Sequence, residues 1–289
     1  MFDKVLLVEA RDVDQIIGRM AINRPQTDFD PHGNGGGARL PVPGKSSAGW
    51  LFQVKAQWSY LVRSAGLSLA LLPRRASTSS RRIIQRHCQA FFRRLGEMGQ
   101  VSVEFQGFED VEDWRGAVVS PNHPSLLDAL FLFSKIPDVD CVIGRTPWHD
   151  PLLAIPARRA DYIPNIPAGA MLRECRKRLE RGANIMIFPE GTRTSAGVLN
   201  PFQRGFALPV IQSGAEVRTI FIECDSMALG KGYSFFKNAR PPLHFRISTG
   251  EIFKAGPGQR ARDFSMEIED YFRRCLRRNG DCIARIPRA

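Results

Sequence analysis

A histidine and an aspartate stand five positions apart in the stretch SPNHPSLLDALFLF (120–133), as His123 and Asp128. A carboxylate on one imidazole nitrogen fixes the tautomer of the ring and leaves the other nitrogen free to act as a general base. The alternative is structural, with a histidine that caps its helix and an aspartate that faces solvent. The stretch follows the apolar run AVVS, and Pro124 suits a first helical turn. Asn122 and His123 are therefore expected where a strand meets a helix.

The second stretch whose residue types could do chemistry is ANIMIFPEGTRTS (183–195), in which an apolar run ends in Pro-Glu-Gly-Thr-Arg. Gly191 permits close approach of the backbone or a positive φ. Arg193 offers a planar fork that matches a phosphate, and Thr192 offers a hydroxyl beside it. Glu190 could hold Arg193 in place or accept a hydrogen bond from a substrate hydroxyl. Taken alone, the segment could also be a turn with a structural ion pair.

Short apolar runs that alternate with helical patterns predict the elements that position these two stretches. Strands are predicted at 101–106, 117–120, 141–144, 184–188, 217–223 and 244–249. Helices are predicted at 125–134, 168–181, 203–212 and 264–278. Strands separated by helices indicate an α/β domain with a mixed, largely parallel sheet flanked by helices. Ligands of such sheets bind outside the carboxyl ends of the strands, which is where His123 is expected.

The chain has 289 residues and a formal net charge of +12, from 41 Lys and Arg against 29 Asp and Glu. Residues 31–96 contain eleven of these bases and no Asp or Glu. The eleven are Arg39, Lys45, Lys55, Arg63, Arg74, Arg75, Arg81, Arg82, Arg86, Arg93 and Arg94. Such a segment favours a polyanionic partner, either nucleic acid or an anionic membrane. A hydrophobic content of 43% excludes a disordered chain.

Residues 50–99 are predicted to form basic amphipathic helices that associate with a membrane. In RRIIQRHCQAFFRRL (81–95), apolar residues recur at helical spacing and arginines lie mostly on the other side. The apolar set is Ile83, Ile84, Cys88, Phe91, Phe92 and Leu95, and the basic set is Arg81, Arg82, Arg86, Arg93 and Arg94. A membrane surface needs this combination of aliphatic area and guanidinium groups. The alternative is a helix packed on the core with a solvated arginine face.

The composition divides the chain into three parts. Residues 1–49 form an appendage that ends in a flexible Gly-, Pro- and Ser-rich linker, 50–99 the basic helices, and 100–289 the α/β domain. The first residues are too charged for a signal peptide, and the six cysteines show neither a CxxC pair nor zinc-ligand spacing. A reduced, cytoplasmic protein with core cysteines and no metal is therefore predicted. The most apolar span, residues 50–72, is interrupted by two bases and is too polar for a transmembrane helix.

The two stretches together resemble a known family. NHPSLLD (122–128) matches the NH-x4-D block, and FPEGTR (188–193) matches the second signature, of the glycerolipid acyltransferases typified by 1-acyl-sn-glycerol-3-phosphate acyltransferase. The separation of the blocks, roughly 60 residues, is also similar to that of the family. FQRGFA (202–207) resembles the family's Phe-Lys-x-Gly segment. The resemblance covers roughly residues 80–250.

The resemblance implies roles for the matching residues. His123 would take the proton from an acceptor hydroxyl, and Asp128 would orient His123 and stabilise its imidazolium. The alkoxide would attack the thioester of acyl-CoA or acyl carrier protein, with no cofactor, no metal and no covalent enzyme intermediate. The acceptor would be a lysophospholipid, first of all 1-acylglycerol-3-phosphate, which would become phosphatidic acid. The substrate-binding residues expected on this basis are Asn122, Arg145, Glu190, Gly191, Thr192 and Arg193.

The chain departs from the family pattern in two blocks. Asn165 stands where an arginine is common, so Arg145 or Arg158 is the expected substitute for phosphate binding. Thr219 stands where a proline is common. YIPN and CDSMALGKGYSFF (224–236) are similar to a bacterial branch linked to aryl-polyene pathways. The acceptor could then be another lipid, such as a lyso-ornithine lipid or a pathway intermediate.

The resemblance also implies where the protein acts: at the cytoplasmic face of the inner membrane, bound peripherally or monotopically. Its partners would be the anionic membrane surface, the lysophospholipid acceptor and the acyl donor, and not nucleic acid. A nucleic-acid-binding protein is the competing class, suggested by the basic segment. That segment lacks a recognisable reading motif, and its Phe and Ile side chains form a helical stripe instead of stacking platforms.

Overall fold

The computed structural model describes residues 78–144, 154–165, 168–194, 198–226 and 241–277, together with the single residue 66. Seven strands lie in these ranges: β1 Val101–Gln106, β2 Ala117–Pro121, β3 Asp140–Ile143, β4 Ile163–Pro164, β5 Ile185–Met186, β6 Glu216–Cys224 and β7 Leu243–Lys254. The same ranges hold six α-helices: α1 Thr78–Glu97, α2 Asp128–Lys135, α3 Ala154–Arg159, α4 Ala168–Glu180, α5 Ala207–Ser213 and α6 Ala261–Arg277. Two 3-10 turns lie at Val111–Asp113 and Arg204–Phe206.

The strands form one sheet in the order β1-β7-β6-β2-β5-β3-β4. Neighbouring strands are parallel except β6 and β7, which are antiparallel. The predicted mixed, largely parallel sheet flanked by helices is therefore confirmed. Strand β2 lies at its centre between β6 and β5, so the loops that follow β2 and β5 leave the sheet at the same edge.

The core lies on both faces of the sheet because alternate strand residues point to opposite sides. On β2, Val119 belongs to an apolar cluster with residues of α1, α2 and α3. The adjacent Val118 belongs to a second cluster with residues of α4, α5 and α6. The sheet therefore has a helical layer on each face, as its mostly parallel pairing requires.

Helix α1 has the amphipathic character that the sequence predicts. The buried members of its apolar stripe are Ile84, Cys88, Phe91 and Leu95. Its exposed arginines are Arg82, Arg86, Arg93 and Arg94. The stripe belongs to the same cluster as α2 and the sheet, so this apolar area is not free to insert into a bilayer. Of the two alternatives for this helix, core packing with a solvated arginine face is the one that the structure shows.

Helix α2 begins at Asp128 instead of at the predicted Ser125. The hydroxyl of Ser125 accepts a hydrogen bond of 3.1 Å from the main-chain N–H of Leu127. Such a local side-chain bond competes with helical geometry. Pro124 therefore precedes the helix instead of occupying its first turn, and Asp128 is the first helical residue.

Several further elements differ from the prediction. The predicted helix 203–212 is divided into a 3-10 turn and α5. Strand β5 is shorter than the predicted 184–188, although the main-chain N–H of Ile187 still donates to the carbonyl of Val119. Strand β4 and helix α3 were not predicted, because elements of two and six residues are too short to show a period.

Several predictions concern residues outside the described ranges. They include the appendage 1–49, the first part of the basic segment 50–99, and Arg145. The division of the chain into three parts therefore stays a prediction. No helix in the described ranges is long and apolar enough to cross a bilayer. The five described cysteines are free thiols, and four of them are buried as predicted: Cys88, Cys141, Cys175 and Cys275.

Candidate active site

The two motif stretches meet at one edge of the sheet because β2 and β5 are parallel neighbours. His123 lies in the loop after β2, and Glu190 lies in the loop after β5. The carboxyl ends of parallel strands share an edge, so both loops begin side by side. The structure thus brings together the two segments that the sequence singles out for their residue types.

Nδ1 of His123 lies 2.8 Å from Oδ2 of Asp128. The carboxylate is fully buried, and the histidine side chain is 19% exposed. An ionised carboxylate only accepts hydrogen bonds, so Nδ1 carries the proton and Nε2 keeps a free lone pair. The predicted contact is present, and it has the arrangement of a general base with its orienting carboxylate.

The imidazole of His123 also stacks on the ring of Phe188, with centroids 4.0 Å apart and planes inclined by 27°. Phe188 opens the FPEGTR stretch and is half-buried against the cluster formed with α1 and α2. Asp128 therefore restrains the edge of the imidazole, and Phe188 restrains its face. Phe188 was not predicted from the sequence to belong to the site.

Ser125 is a second residue of the site that was not predicted. It is 2% exposed, and its main-chain N–H donates to Oδ2 of Asp128 at 2.8 Å. Its hydroxyl donates to Oδ1 of the same carboxylate. The available signal was its position three residues before Asp128, a spacing at which Ser and Asp commonly bond locally. Both carboxylate oxygens of Asp128 thus accept hydrogen bonds from Ser125, in addition to the contact of Oδ2 with His123.

The FPEGTR stretch begins with a tight turn. The main-chain N–H of Gly191 donates to the carbonyl of Phe188 at 3.0 Å, and Pro189 occupies the second position of the turn. Gly191 has the predicted positive φ, 68°, and a Cβ there would lie 3.1 Å from Cγ of Gln203. The main-chain N–H of Gln203 in turn donates to the carbonyl of Pro189 at 2.7 Å. The FQRGFA stretch therefore packs directly on this turn.

Glu190 is 2% exposed, and its carboxylate points into the protein. Oε1 accepts from the main-chain N–H of His123 at 2.9 Å. It also accepts from the hydroxyl of Thr194 at 2.9 Å, and the same hydroxyl lies 3.0 Å from Oε2. Oε2 accepts from the main-chain N–H of Asn200 at 2.9 Å. Both oxygens of this predicted substrate-binding residue are therefore engaged by protein groups.

Asn122 is 4% exposed, and it contacts the neighbouring strand β6. Its Nδ2 donates to the carbonyl of Ile222 at 2.9 Å, and its Oδ1 accepts from the N–H of Ile222 at 2.7 Å. The side chain thus extends the pairing of β2 with β6 by one residue and holds the position before His123. This is a structural contact for a residue that the resemblance assigns to substrate binding.

The remaining residues of the loop face outwards. Gly191 and Thr192 are exposed, and Arg193 is half-buried. Burial lowers the pKa of the Arg193 guanidinium, and the nearby carboxylate of Asp128 opposes that shift. Arginine stays protonated at neutral pH in proteins. A partly exposed positive charge near the His123–Asp128 pair suits an anionic group on a substrate.

The positions at which this chain departs from the family pattern lie outside the two motif loops. Asn165 follows β4, which is three strands from β2 in the sheet. Arg158 is exposed on α3, whereas Arg145 is outside the described residues. Thr219 lies at an irregularity in the pairing of β6 with β7, and its hydroxyl donates to the carbonyl of Glu251 at 2.7 Å. Thr219 thus has a structural reason to stand where the family commonly has proline.

The chemistry that the arrangement supports is proton transfer beside a fixed positive charge. Among the described residues, no group of three or more His, Cys, Asp or Glu side chains could hold a metal ion. Cys224 ends β6, and burial raises the pKa of its thiol to about 12. Because a thiol is a weak nucleophile until it ionises, Cys224 is a poor candidate for covalent catalysis.

Comparison with known proteins agrees with this geometry. A sequence model of the Acyltransferase family matches residues 102–223, which hold both motif loops. The 1-acyl-sn-glycerol-3-phosphate acyltransferases of Limnanthes alba and Limnanthes douglasii are 29% and 28% identical to this chain over 140 residues. The part of this chain that holds both motif loops is therefore similar to the Acyltransferase family and to these plant enzymes. Each alignment covers 46% of this chain and 49% of the plant protein, so the chain spans about half the length of these relatives.

A solved structure shares the fold of this chain. It is the 1-acyl-sn-glycerophosphate (LPA) acyltransferase PlsC from Thermotoga maritima, with a TM-score of 0.61 and 19% identity. The match covers 80% of this chain and 96% of PlsC. The shared fold confirms the fold class predicted from the sequence, and the family model and the plant relatives support the predicted family. The link to aryl-polyene pathways stays a prediction, and most of the segment 227–240 that suggests it lies outside the described residues.

Proposed function

We propose that this protein transfers a fatty acyl group from an acyl thioester to the free hydroxyl of 1-acylglycerol-3-phosphate, forming phosphatidic acid. The observation that carries the proposal is the contact of His123 with Asp128 at 2.8 Å, at the sheet edge that also presents Arg193. The two plant relatives and the Thermotoga protein are acyltransferases named for this substrate class, which supports the proposal.

Direct transfer fits the residues at this edge. Nε2 of His123 takes the proton of the acceptor hydroxyl as the oxygen attacks the thioester carbonyl carbon. The C–O bond forms, the C–S bond then breaks, and the leaving thiolate takes the proton from Nε2. Asp128 stabilises the imidazolium between these two proton transfers. A positioned base of this kind contributes on the order of 10²–10⁴-fold to the rate.

Arg193 is the group that we assign to the acceptor phosphate. Its planar guanidinium can bond two phosphate oxygens at once, and the exposed hydroxyl of Thr192 lies next to it in the chain. Asn165 takes the place of a common family arginine, so Arg193 carries more of the phosphate recognition here. Arg145 and Arg158 are the expected supplements. Acyl-CoA and acyl carrier protein are the two expected donors.

We further propose that the protein binds peripherally to the anionic cytoplasmic face of the inner membrane. The exposed side of α1 carries Arg82, Arg86, Arg93 and Arg94. Each basic side chain near an anionic surface contributes about 1 kcal/mol. Because the apolar stripe of α1 is buried, this helix would bind electrostatically. Sedimentation with anionic vesicles should therefore fall as salt is raised, and neutral vesicles should not bind through α1.

An acyl-transfer assay on purified protein tests the enzymatic proposal. Labelled acyl-CoA and acyl carrier protein donors are each offered with 1-acylglycerol-3-phosphate, a lyso-ornithine lipid and an acceptor without phosphate. We expect transfer to 1-acylglycerol-3-phosphate and a loss of at least about 100-fold in His123→Ala. Ser134→Ala, on α2 but outside the site, is the folded control. Preference for the phosphate-free acceptor would favour the alternative acceptors, and wild-type rates in His123→Ala would reject the mechanism.

The nucleic-acid-binding alternative is tested by fractionation of cell extract. The enzyme is expected with the membranes, and nuclease treatment should leave its distribution unchanged. Recovery with nucleic acid and none with membranes would favour the alternative instead.

A further inference from the structure

The main chain of His123 is held at both of its polar groups by the loop after β5. Its N–H donates to Oε1 of Glu190 at 2.9 Å, and its carbonyl accepts from the main-chain N–H of Thr194 at 2.7 Å. The hydroxyl of Thr194 closes the arrangement by donating to the carboxylate of Glu190. The loop after β5 therefore forms hydrogen bonds with both main-chain polar groups of His123.

Glu190 is built for this contact and not for contact with an acceptor. Its side chain is 2% exposed, and three donors converge on the carboxylate, from His123, Thr194 and Asn200. A carboxylate is the only side chain of this shape that accepts through both oxygens without presenting an N–H group. A glutamine in its place would turn its NH₂ group toward one of the main-chain N–H donors.

The same network reaches Arg193. Residues 191–193 lie between Glu190 and Thr194, which make these two contacts, and they form the outward-facing part of the loop. Nδ2 of Asn200 donates to the carbonyl of Arg193 at 3.0 Å, while the main-chain N–H of Asn200 donates to Glu190. The segment that offers the guanidinium and the segment that offers the base are therefore tied through one buried carboxylate.

We propose that Glu190 is a positioning residue that acts on catalysis through His123, with Thr194 as its partner, and does not bind the acceptor. This inference rests on the proposed acyl transfer at the same site. Proton transfer depends on the placement of the base, and a misplacement of about 1 Å can cost about 100-fold. Loss of the contacts that the loop makes with the main chain of His123 should therefore lower kcat while the KM for the acceptor stays nearly constant.

The first test is Glu190→Gln. We expect a fall in kcat of about 10- to 100-fold, with the KM for 1-acylglycerol-3-phosphate within about threefold of wild type. Glu269→Gln is the matched control, because Glu269 also accepts from a main-chain N–H, that of Phe202 at 2.8 Å, without contacting His123. It should keep kcat. A rise in acceptor KM of tenfold or more at unchanged kcat would identify Glu190 as a substrate ligand and overturn the proposal.

The second test is a double-mutant cycle with His123→Ala. If Glu190 acts through His123, Glu190→Gln should leave the residual rate of His123→Ala unchanged within about twofold. An equal fall in both backgrounds would show that Glu190 contributes independently of the base and would overturn the proposal. A merely structural effect would also lower the residual rate, so the cycle separates it from positioning.

A third pair of variants covers the case in which Glu190→Gln does not fold. Thr194→Val removes the hydroxyl that donates to Glu190 and keeps the main-chain N–H that donates to His123. It should lower kcat several-fold, and Thr194→Ser, which restores the hydroxyl, should recover most of that loss. Equal kcat in the two variants would count against the proposal.

A readout without activity separates this inference from the proposed function. In protein labelled with ¹⁵N-histidine, the Nδ1–H resonance of His123 should be protected by Asp128 in the wild type and should shift or broaden in Glu190→Gln or Thr194→Val. Glu269→Gln should leave it in place. Absence of acyl transfer with this spectral response would reject the proposed function and retain the positioning role, whereas an unchanged resonance would reject the positioning role.

Discussion

Ser125 donates two hydrogen bonds to the carboxylate of Asp128, one from its main-chain N–H to Oδ2 and one from its hydroxyl to Oδ1. Oδ2 also lies 2.8 Å from Nδ1 of His123. A fully buried carboxylate is stable in its ionised form only when its oxygens accept hydrogen bonds. Ser125 therefore stabilises the Asp128 carboxylate that orients His123. Ser125, three residues before Asp128, therefore belongs to the site.

Replacing Ser125 with alanine should slow the reaction without weakening substrate binding. The variant loses the hydroxyl bond to Asp128 and the acceptor for the N–H of Leu127. Loss of one bond to a charged group costs about 1.5–3 kcal/mol, which corresponds to a fall in kcat of about 10- to 100-fold if all of it is felt in the transition state. Steady-state kinetics measure this change.

The matched control for Ser125→Ala is Ser134→Ala. The hydroxyl of Ser134 donates to the carbonyl of Phe131 at 2.6 Å on the same helix, away from the carboxylate. It should keep wild-type kcat. A fall in both variants would mean that helix α2, and not the bond to Asp128, carries the effect.

Asn122→Ala should be destabilised and should also lose activity. The variant leaves the buried N–H and C=O of Ile222 without their side-chain partner, at a cost of about 2–4 kcal/mol in the free energy of unfolding. Because Asn122 directly precedes His123, kcat should fall as well, with little change in acceptor KM. Urea unfolding and steady-state kinetics measure the two effects.

Asn184 is a matched control at the other end of β2. Its Oδ1 accepts from the N–H of Ala117, and its Nδ2 donates to the carbonyl of Trp114 at 2.7 Å. Asn184→Ala should be destabilised by a similar amount and keep kcat once folded. A rise in acceptor KM confined to Asn122→Ala would restore the substrate-binding role that the resemblance assigns.

Asp140→Asn should destabilise the fold without touching the site. Asp140 is 2% exposed and forms ion pairs with Arg81 of α1 and with Arg178 of α4, the latter at 3.2 Å. Removing its charge leaves two mostly buried guanidinium groups with less compensation, at a cost of about 3 kcal/mol. Chemical denaturation measures this loss. The exposed pair of Glu97 with Arg94 supplies the control, since Glu97→Gln should cost less than about 0.5 kcal/mol.

The sequence alone predicts the parts of this protein that depend on local pattern. Strand β1 has the predicted bounds Val101–Gln106, and the His123–Asp128 contact follows from a five-residue separation across one turn. The mixed sheet follows from the alternation of strands and helices. These features need no knowledge of which distant segments meet.

The directions of the loop side chains could not be predicted in the same way. A motif gives the type of residue at Glu190 but not whether its carboxylate faces a substrate or the N–H of His123, 67 positions away. The contact of Asn122 with Ile222 likewise depends on β6 lying next to β2, which is settled only when the whole sheet forms. Ser125 was the exception, because its bond to Asp128 is local and could have been found from spacing.

Buried thiols should make the fold sensitive to alkaline pH. Burial raises the pKa of Cys88 from the ordinary 9.0 to about 12. Between these pH values the unfolded chain releases the thiol proton and the folded chain keeps it. The contribution of the protonated thiol to the free energy of unfolding is therefore fully present below pH 9 and is lost as the pH rises toward 12. At about pH 10.5 the loss is about 2 kcal/mol, because each pKa unit corresponds to about 1.4 kcal/mol.

Cys88→Ala isolates this effect from the other groups that titrate in alkali. At pH 8 the variant should be less stable than the wild type because it loses buried volume, by about 1 kcal/mol. Near pH 10.5 the difference should reverse, because the alanine variant has no thiol to ionise on unfolding. Ile84→Val, in the same stripe of α1, should cost about 1 kcal/mol at both pH values. Urea unfolding at the two pH values measures the free energy of unfolding of all three proteins. If the difference between Cys88→Ala and the wild type is the same at both pH values, as expected for Ile84→Val, burial does not hold the Cys88 thiol neutral.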